Sequence, residues 1–530
     1  MPDVTNWLFN EAAFAGSSRR RGSRNARGGN RRGNSRGDAS HGAGAVTLAP
    51  RLAVTEAAFY ERPVRLRLPF RFGVVTLTEA PQVFTRVTVR LADGREGEGV
   101  SAELMVPKWF DKSVALSNED NFAQLRRALG LARTHVLAAG ADTAFGISAA
   151  VDAAHRAACA AAGLNGLIAS FGLSQIERAV IDALGRILGW DVFTLVRANR
   201  LGIHDALAPD LVGFPFDRFL AGLAPADSIA ARHTVGLADA LIASDVDPAK
   251  RLNDGLPETL EEVIDAYGHR YFKLKVSGHL NADIERLARI AAVLDREVGD
   301  YVATLDGNEQ FEDIDGTVAL WRRIGEDRRL GRLRASITLI EQPITRGQAL
   351  ARPVHVLSRE VPVEIDESDS DIGVFPQARA LGYRGISAKS CKGFYRALLN
   401  RARVVKWNAE EGTELYSMSA EDLTTQGGIA VQQDLALATL VGATHVERNG
   451  HHYVDGMAGA PEHEQQDFLT VHPELYHRGN GRVRLTLRDG ALALGSLARV
   501  PGLAAGVMPD WCAMNPMAQD ERPMSRSDRP

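Results

Sequence analysis

Between residues 86 and 91 apolar and polar positions alternate, with Val87, Val89 and Leu91 set against Arg86, Thr88 and Arg90. A period of two gives a strand one dry and one wet face, and Asp93-Gly94 supplies a tight turn into a returning strand over 97–101, so a β-hairpin is predicted. The period then lengthens to that of a helix over 117–139 and 142–163. A stronger helix is predicted over 174–188, where Ile176, Ala179, Val180, Ala183, Leu184 and Ile187 share a face, Ser174 serves as cap and Glu177 follows three residues on. These elements predict an α+β unit over 46–190.

From about His233 the rhythm becomes strand, helix, strand. Strands are predicted over 270–276, 301–306, 336–341, 361–366, 385–389, 415–419 and 445–448, with helices over 282–298 and 314–324 among the intervals. Strands recurring at this spacing with helices between them indicate parallel βαβ units, most economically a barrel over 191–450. Near the end Val483, Leu485 and Leu487 alternate again, and Asp489-Gly490 turns into Leu492 and Leu494. A second hairpin there implies that 451–505 returns to the first unit, leaving 506–530 as a disordered tail.

The ends of the barrel strands carry the candidate chemistry. Lys273 and Lys275 lie two apart and face the interior together while Leu274 faces the helices. Asp306, Glu341, Asp366 and Lys389 each close a later strand. A parallel barrel brings such ends to one mouth, so three acids and two or three lysines are expected to line one cavity. Converging carboxylates suit a hard divalent cation such as Mg²⁺, and buried lysines need the negative charge that they supply. Asn308 shares the face of Asp306 and is placed to brace the metal site or touch a ligand.

At these residues the chain resembles the enolase superfamily, and within it the mandelate racemase and muconate lactonising enzyme group. The matching segments are Phe272-Lys273-Leu274-Lys275-Val276, Leu305-Asp306-Gly307-Asn308, Ile340-Glu341-Gln342-Pro343, Ile365-Asp366-Glu367-Ser368 and Ile386-Ser387-Ala388-Lys389. Weaker similarity extends to Arg62-Pro63-Val64, to 69–73 and to 489–503, so that it spans roughly 47–505.

The resemblance implies a (β/α)7β barrel of modified TIM type with an α+β capping domain completed by the C-terminal segment. It further implies Mg²⁺, with Mn²⁺ as the alternative, on Asp306, Glu341 and Asp366, and Lys275 and Lys389 on opposite faces of a carboxylate substrate, with Lys273 beside Lys275. Two lysines, where relatives carry a histidine and aspartate pair, resemble the lysine-lysine branch. The implied reaction removes the α-proton of the carboxylate to give a metal-stabilised enediolate, with racemisation or epimerisation first and cycloisomerisation or syn-dehydration as alternatives. A homo-oligomer is expected. Lys392 lies close enough to Lys389 to stand as the alternative second lysine, and the interval from Asp306 to Glu341 is long for the pattern.

Composition narrows the picture at the edges. The net charge of −4 conceals a tail over 1–45 with eight arginines against Asp3, Glu11 and Asp38, or +5, which leaves −9 for the rest. The folded part therefore has no global signature for polyanions. The Gly-, Ser- and Arg-rich tail cannot bury enough apolar surface to order itself. It is either a non-functional extension or an RNA-contacting segment on a non-catalytic barrel scaffold, and it has no aromatic residues among its arginines for base stacking. Three scattered cysteines, Cys159, Cys391 and Cys512, exclude a disulfide framework and favour the cytoplasm, and no apolar run is long enough to span a membrane.

Loops at 70–80 and 101–112 are expected to close over the mouth, with Trp109 packing on substrate or on the barrel. His451 and His452, in the loop after the last strand, are candidates for substrate selection, whereas His451, His452 and His463 match no usual zinc spacing.

Overall fold

The computed structural model describes residues 49–72, 75–422 and 427–517. The tail expected over 1–45 and residues 518–530 lie outside the described residues. The first unit is a long antiparallel meander, β1 (Leu52–Phe72), β2 (Val75–Leu91) and β3 (Glu96–Leu104), packed on α1 (Asn118–Ala138), α2 (Ala144–Ala161) and α3 (Gly166–Leu188). The turn after β2 forms at Asp93-Gly94 as expected, with Gly94 at φ 89°.

Helix α3 begins eight residues before the expected Ser174 cap. Asn165 caps it by accepting from the amides of Leu167 and Ile168, and Ser174 lies buried mid-helix with its hydroxyl donating to Cys391 O. The periodicity misplaced the start because this helix is buried nearly all round, polar residues such as Gln175, Arg178 and Asp182 included, between the sheet and the barrel.

Eight parallel strands close the barrel: β4 (Ser228–Val235), β5 (Tyr271–Lys275), β6 (Val302–Asp306), β7 (Ile337–Glu341), β8 (Val363–Ile365), β9 (Gly385–Ala388), β10 (Ser417–Glu421) and β11 (His445–Glu447). Each pairs with the next, and β11 pairs with β4 to complete the ring. Helical segments follow the first seven strands; after β11 there is only the turn Gly450–Tyr453 before the chain leaves the barrel. This is the expected (β/α)7β arrangement with a β-rich cap. Outward-facing residues such as Phe272, Leu274, Leu305 and Ile340 are fully buried in the apolar shell between strands and helices.

The C-terminal segment departs from expectation. Its hairpin is β12 (Tyr476–Gly479) with β13 (Arg482–Leu485), while β14 (Ala491–Ala493) adds antiparallel to barrel strand β4. The Asp489-Gly490 turn does form, closing a single bridge between Arg488 and Ala491. Residues expected in a C-terminal tail are ordered as far as Met517, and β15 (Asn515–Pro516) pairs with Tyr60 and Glu61 of β1. Among the described residues no helix is long and apolar enough to cross a membrane.

Candidate active site

Seven of the ten residues singled out from the sequence line one cavity at the C-terminal mouth: Lys273, Lys275, Asp306, Asn308, Asp366, Lys389 and Trp109. Glu341 sits directly beneath, fully buried, and is linked to them through Lys273. The cap supplies the roof, with Phe70 and Leu77 from the β1–β2 hairpin and Val106 and Trp109 from the segment after β3. The Trp109 ring packs edge-on to Phe110 within the cap and lies 5.3 Å from Lys389 Nζ of the barrel.

The interior is an alternating lattice of charge. Lys273 Nζ lies 2.8 Å from Asp306 Oδ2, 2.8 Å from Glu341 Oε1, 2.7 Å from Glu421 Oε1 and 2.7 Å from Glu447 Oε2. Lys275 Nζ lies 2.5 Å from Asp306 Oδ2. Lys389 Nζ pairs with Asp366 Oδ2 at 2.8 Å and with Glu421. Burial opposes the charge of Lys273, but the four carboxylates around it prevail and hold the amine well above its ordinary range. Lys389 is held well above its range in the same way, burial being overcome by Asp366 and Glu421.

Acids outnumber what these cations can neutralise. Burial first, then Asp306 and Glu421, push Glu341 well above the usual carboxylate range. Burial and the neighbouring Glu421 likewise push Glu364 up to about 7. Carboxylate oxygens of Glu341, Asp366 and Glu421 converge within 4.8 Å of one another. Glu341 Oε2 and Asn308 Oδ1 are buried without a hydrogen-bond donor. Excess acid, converging oxygens and orphaned acceptors are what a hard cation needs, so the residues present fit Mg²⁺.

The structure groups the predicted acids differently from the expected triad. Glu341 and Asp366 converge with Glu421, whereas Asp306 is turned to the two lysines beside it. Glu421 was missed because the seventh strand was expected to end at Ser419; the observed β10 runs two residues further and ends on this acid. Gln342 was also missed. Its Oε1 accepts from the amides of Asp366 and Ser368, and its φ of 30° lies in the left-handed region, a strained position at the mouth.

Lys392 does not line the cavity. Its Nζ donates to the backbone of Ser387 and, at 3.1 Å, to Asp366 Oδ1 from below. Cys391 is fully buried, and burial pushes its thiol well above the ordinary range, so it is a filler and not a nucleophile.

His451 and His452 are not at the mouth. The turn Gly450–Tyr453 folds back over the outside of the barrel wall, where both rings are buried against His233 and that of His451 also against His269. Neither is among the residues that line the cavity, although Asn449, just before them in the chain, is.

No family model and no curated protein matches the sequence. Solved structures do match. Muconate lactonizing enzyme from Pseudomonas fluorescens, complexed with muconolactone, is 18% identical with a TM-score of 0.53, covering 87% of this chain and 98% of that one. An enolase from Bradyrhizobium complexed with magnesium and mandelic acid is 18% identical with a TM-score of 0.53, covering 87% and 97%. A mandelate racemase/muconate lactonizing protein from Herpetosiphon aurantiacus is 16% identical with a TM-score of 0.51, covering 85% and 97%. The structural neighbours are enolase-superfamily proteins. At such low identity the likeness establishes the shared fold, a capped (β/α)7β barrel.

Proposed function

We propose that this chain is a Mg²⁺-dependent enzyme that removes the proton next to the carboxylate of a small-molecule acid, most simply as a racemase or epimerase of the lysine-lysine type. The observation that carries the reading is topological. Lys275 ends the second barrel strand and Lys389 follows the sixth, four strands apart in a ring of eight, so the two ammonium positions face each other across one cavity. Asp306 and Glu341 end, and Asp366 directly follows, the three strands on one arc between them. A carboxylate held at that arc presents its α-carbon to a lysine on each side.

Asp306, Glu341 and Asp366, with Glu421 facing them, are the residues that would hold the ion. When bound, Mg²⁺ supplies Lewis-acid stabilisation of charge developing on the substrate carboxylate. The chain's own residues do the rest. Lys275 Nζ takes the α-proton of one enantiomer and Lys389 Nζ, beside Asp366, delivers a proton to the opposite face with inversion; for the other enantiomer the two lysines exchange roles. Lys273, fixed in the charged state by four carboxylates, adds permanent positive charge beside the reacting centre. Phe70, Leu77, Val106 and Trp109 cover the cavity and keep bulk water from the exposed carbon acid. The resident charge also argues against a non-catalytic scaffold, which gains nothing from burying this many lysines and acids.

Cycloisomerisation is the second reading, suggested by the Pseudomonas fluorescens neighbour being a lactonizing enzyme, and needs only one lysine as base. The assignment is tested by incubating the protein with a panel of chiral α-substituted carboxylic acids in D₂O, with Mg²⁺ or with EDTA, and reading α-deuterium by NMR. Mg²⁺-dependent uptake is expected. Isothermal titration with Mg²⁺ that finds unchanged affinity in Glu341→Gln would overturn the metal site.

A further inference from the structure

A second ligand constellation lies outside the barrel wall, independent of the proposed activity. Arg232 and Thr234 of β4 point inward to Glu421 and Glu447, so His233 between them points outward. There it meets His269, from the segment before β5, and His451, from the turn after β11. Strands β11, β4 and β5 are adjacent in the ring, which is why residues far apart in sequence converge. One nitrogen from each of the three imidazoles lies within 4.8 Å of the others, and all three residues are buried.

The hydrogen bonds show which atoms are available. His269 Nδ1 is 3.0 Å from the carbonyl of Ala231, an atom that can only accept, so Nδ1 carries the proton and Nε2 presents its lone pair. A backbone carbonyl behind one ring nitrogen is the usual support for a metal-ligating histidine. His269 Nε2 faces His451 Nε2 at 3.0 Å, somewhat shorter than the roughly 3.3 Å separating two nitrogens that share a tetrahedral ion at ~2.0–2.1 Å. Nδ1 of His233 and of His451, in side chains 2% and 7% exposed, has no partner. A fourth ring, His452, lies 5.2 Å from His233, and its Nδ1 is also unpartnered.

We propose that His233, His269 and His451 form a second metal site that takes a borderline transition ion of the Zn²⁺ class. An all-imidazole set selects such ions and not Mg²⁺, and the fourth position falls to water or to His452. A cavity of about 210 Å³ lined by Tyr267, His451, His477 and Arg484 provides the entry path. The site's role is structural. It pins the turn after the last barrel strand to the first two strands, and that turn holds the roof: Arg67 of β1 donates to His452 O at 2.7 Å while pairing with Asp254. Asn449, one residue before the turn, lines the active-site cavity.

The test uses the full chain stripped with EDTA, saturated with Mg²⁺ to occupy the acidic centre, and titrated with Co²⁺. The expected result is one Co²⁺ per chain with the intense visible d–d bands of four-coordinate geometry, displaced by one equivalent of Zn²⁺. The bands should persist in Glu341→Gln and disappear in His269→Gln and in His451→Gln. Weak octahedral bands only in the native chain, or intense bands that survive both histidine variants, would overturn the site. Should either variant fail to fold, X-ray absorption of the Zn²⁺-loaded native protein decides, because fewer than three imidazole ligands refutes the assignment.

Discussion

Replacing Glu421 with glutamine removes one charge from the centre of the lattice without changing its shape. Three cations lose a counter-ion at once: Lys273, which donates at 2.7 Å, Lys389, and Arg232, whose Nη2 donates at 3.2 Å. All four side chains are buried. Removing one partner of a buried ion pair typically costs ~3–5 kcal/mol. The low end applies, because Lys273 keeps Asp306, Glu341 and Glu447, Lys389 keeps Asp366, and loss of Glu421 relieves the repulsion that raises Glu341 and Glu364. With an unfolding entropy near 2.1 cal/mol/K per residue, a chain of 530 residues loses about 1 °C of Tm per kcal/mol, so a fall of about 3 °C is expected in metal-free buffer. Differential scanning calorimetry on the native and Glu421→Gln proteins measures it. A Tm unchanged or raised in the variant would show that Glu421 is not the shared counter-ion, and the account of the charge lattice would fail with it.

Burial holds His269 down to about 4, so it stays neutral in the fold while the unfolded chain takes up a proton near 6.5. Its contribution, on the order of 3 kcal/mol, is complete above pH 6.5 and lost as pH falls toward 4, opposite in sign to Glu364 and Glu367, whose raised values favour the fold as pH drops. Urea melts of the metal-free protein across that window should show a steeper loss for the native chain than for His269→Gln, and parallel curves would contradict the assignment. Gly99 on β3 lies against α3, where an added Cβ would overlap the carbonyl of Ala179 and the backbone of Ala183. Neither can move aside, so Gly99→Ala should cost about 3 kcal/mol in a denaturant titration, and a loss below about 1 kcal/mol would show that the sheet and helix are not in that contact.

The barrel was legible because its strand ends repeat one device, an apolar run closed by a charged residue, and the cap hairpin was legible because Asp93-Gly94 sits between two alternating strands. Less local features were not. The first barrel strand, Ser228–Val235, carries Arg232 and His233 in mid-strand, which masks its apolar character until Glu421 and the outer histidines are seen to receive them. Glu421 was hidden by a two-residue error in the end of β10, enough to move an acid from the interior of the barrel to a loop. The histidine constellation draws on the first strand of the barrel, the segment just before the second and the turn after the last, and no spacing along the chain encodes such a convergence. Lys389 and Lys392 are three residues apart and read alike in sequence; only the short helical turn Ser390–Lys392 after β9 sends one into the cavity and the other beneath Asp366.

The central claim, that Lys275 and Lys389 work on opposite faces of one carboxylate, is tested most directly by stereospecific exchange. With a responsive acid from the panel in D₂O and saturating Mg²⁺, α-deuterium uptake is followed by NMR from each pure enantiomer in the native protein, Lys275→Ala and Lys389→Ala. Each variant should lose exchange from a different enantiomer, by several powers of ten at ~1.4 kcal/mol per tenfold, and keep it from the other. Loss confined to one variant would move the reaction to a single-base cycloisomerase or dehydratase. Full exchange in both variants, or its loss in Lys392→Ala instead, would contradict the account.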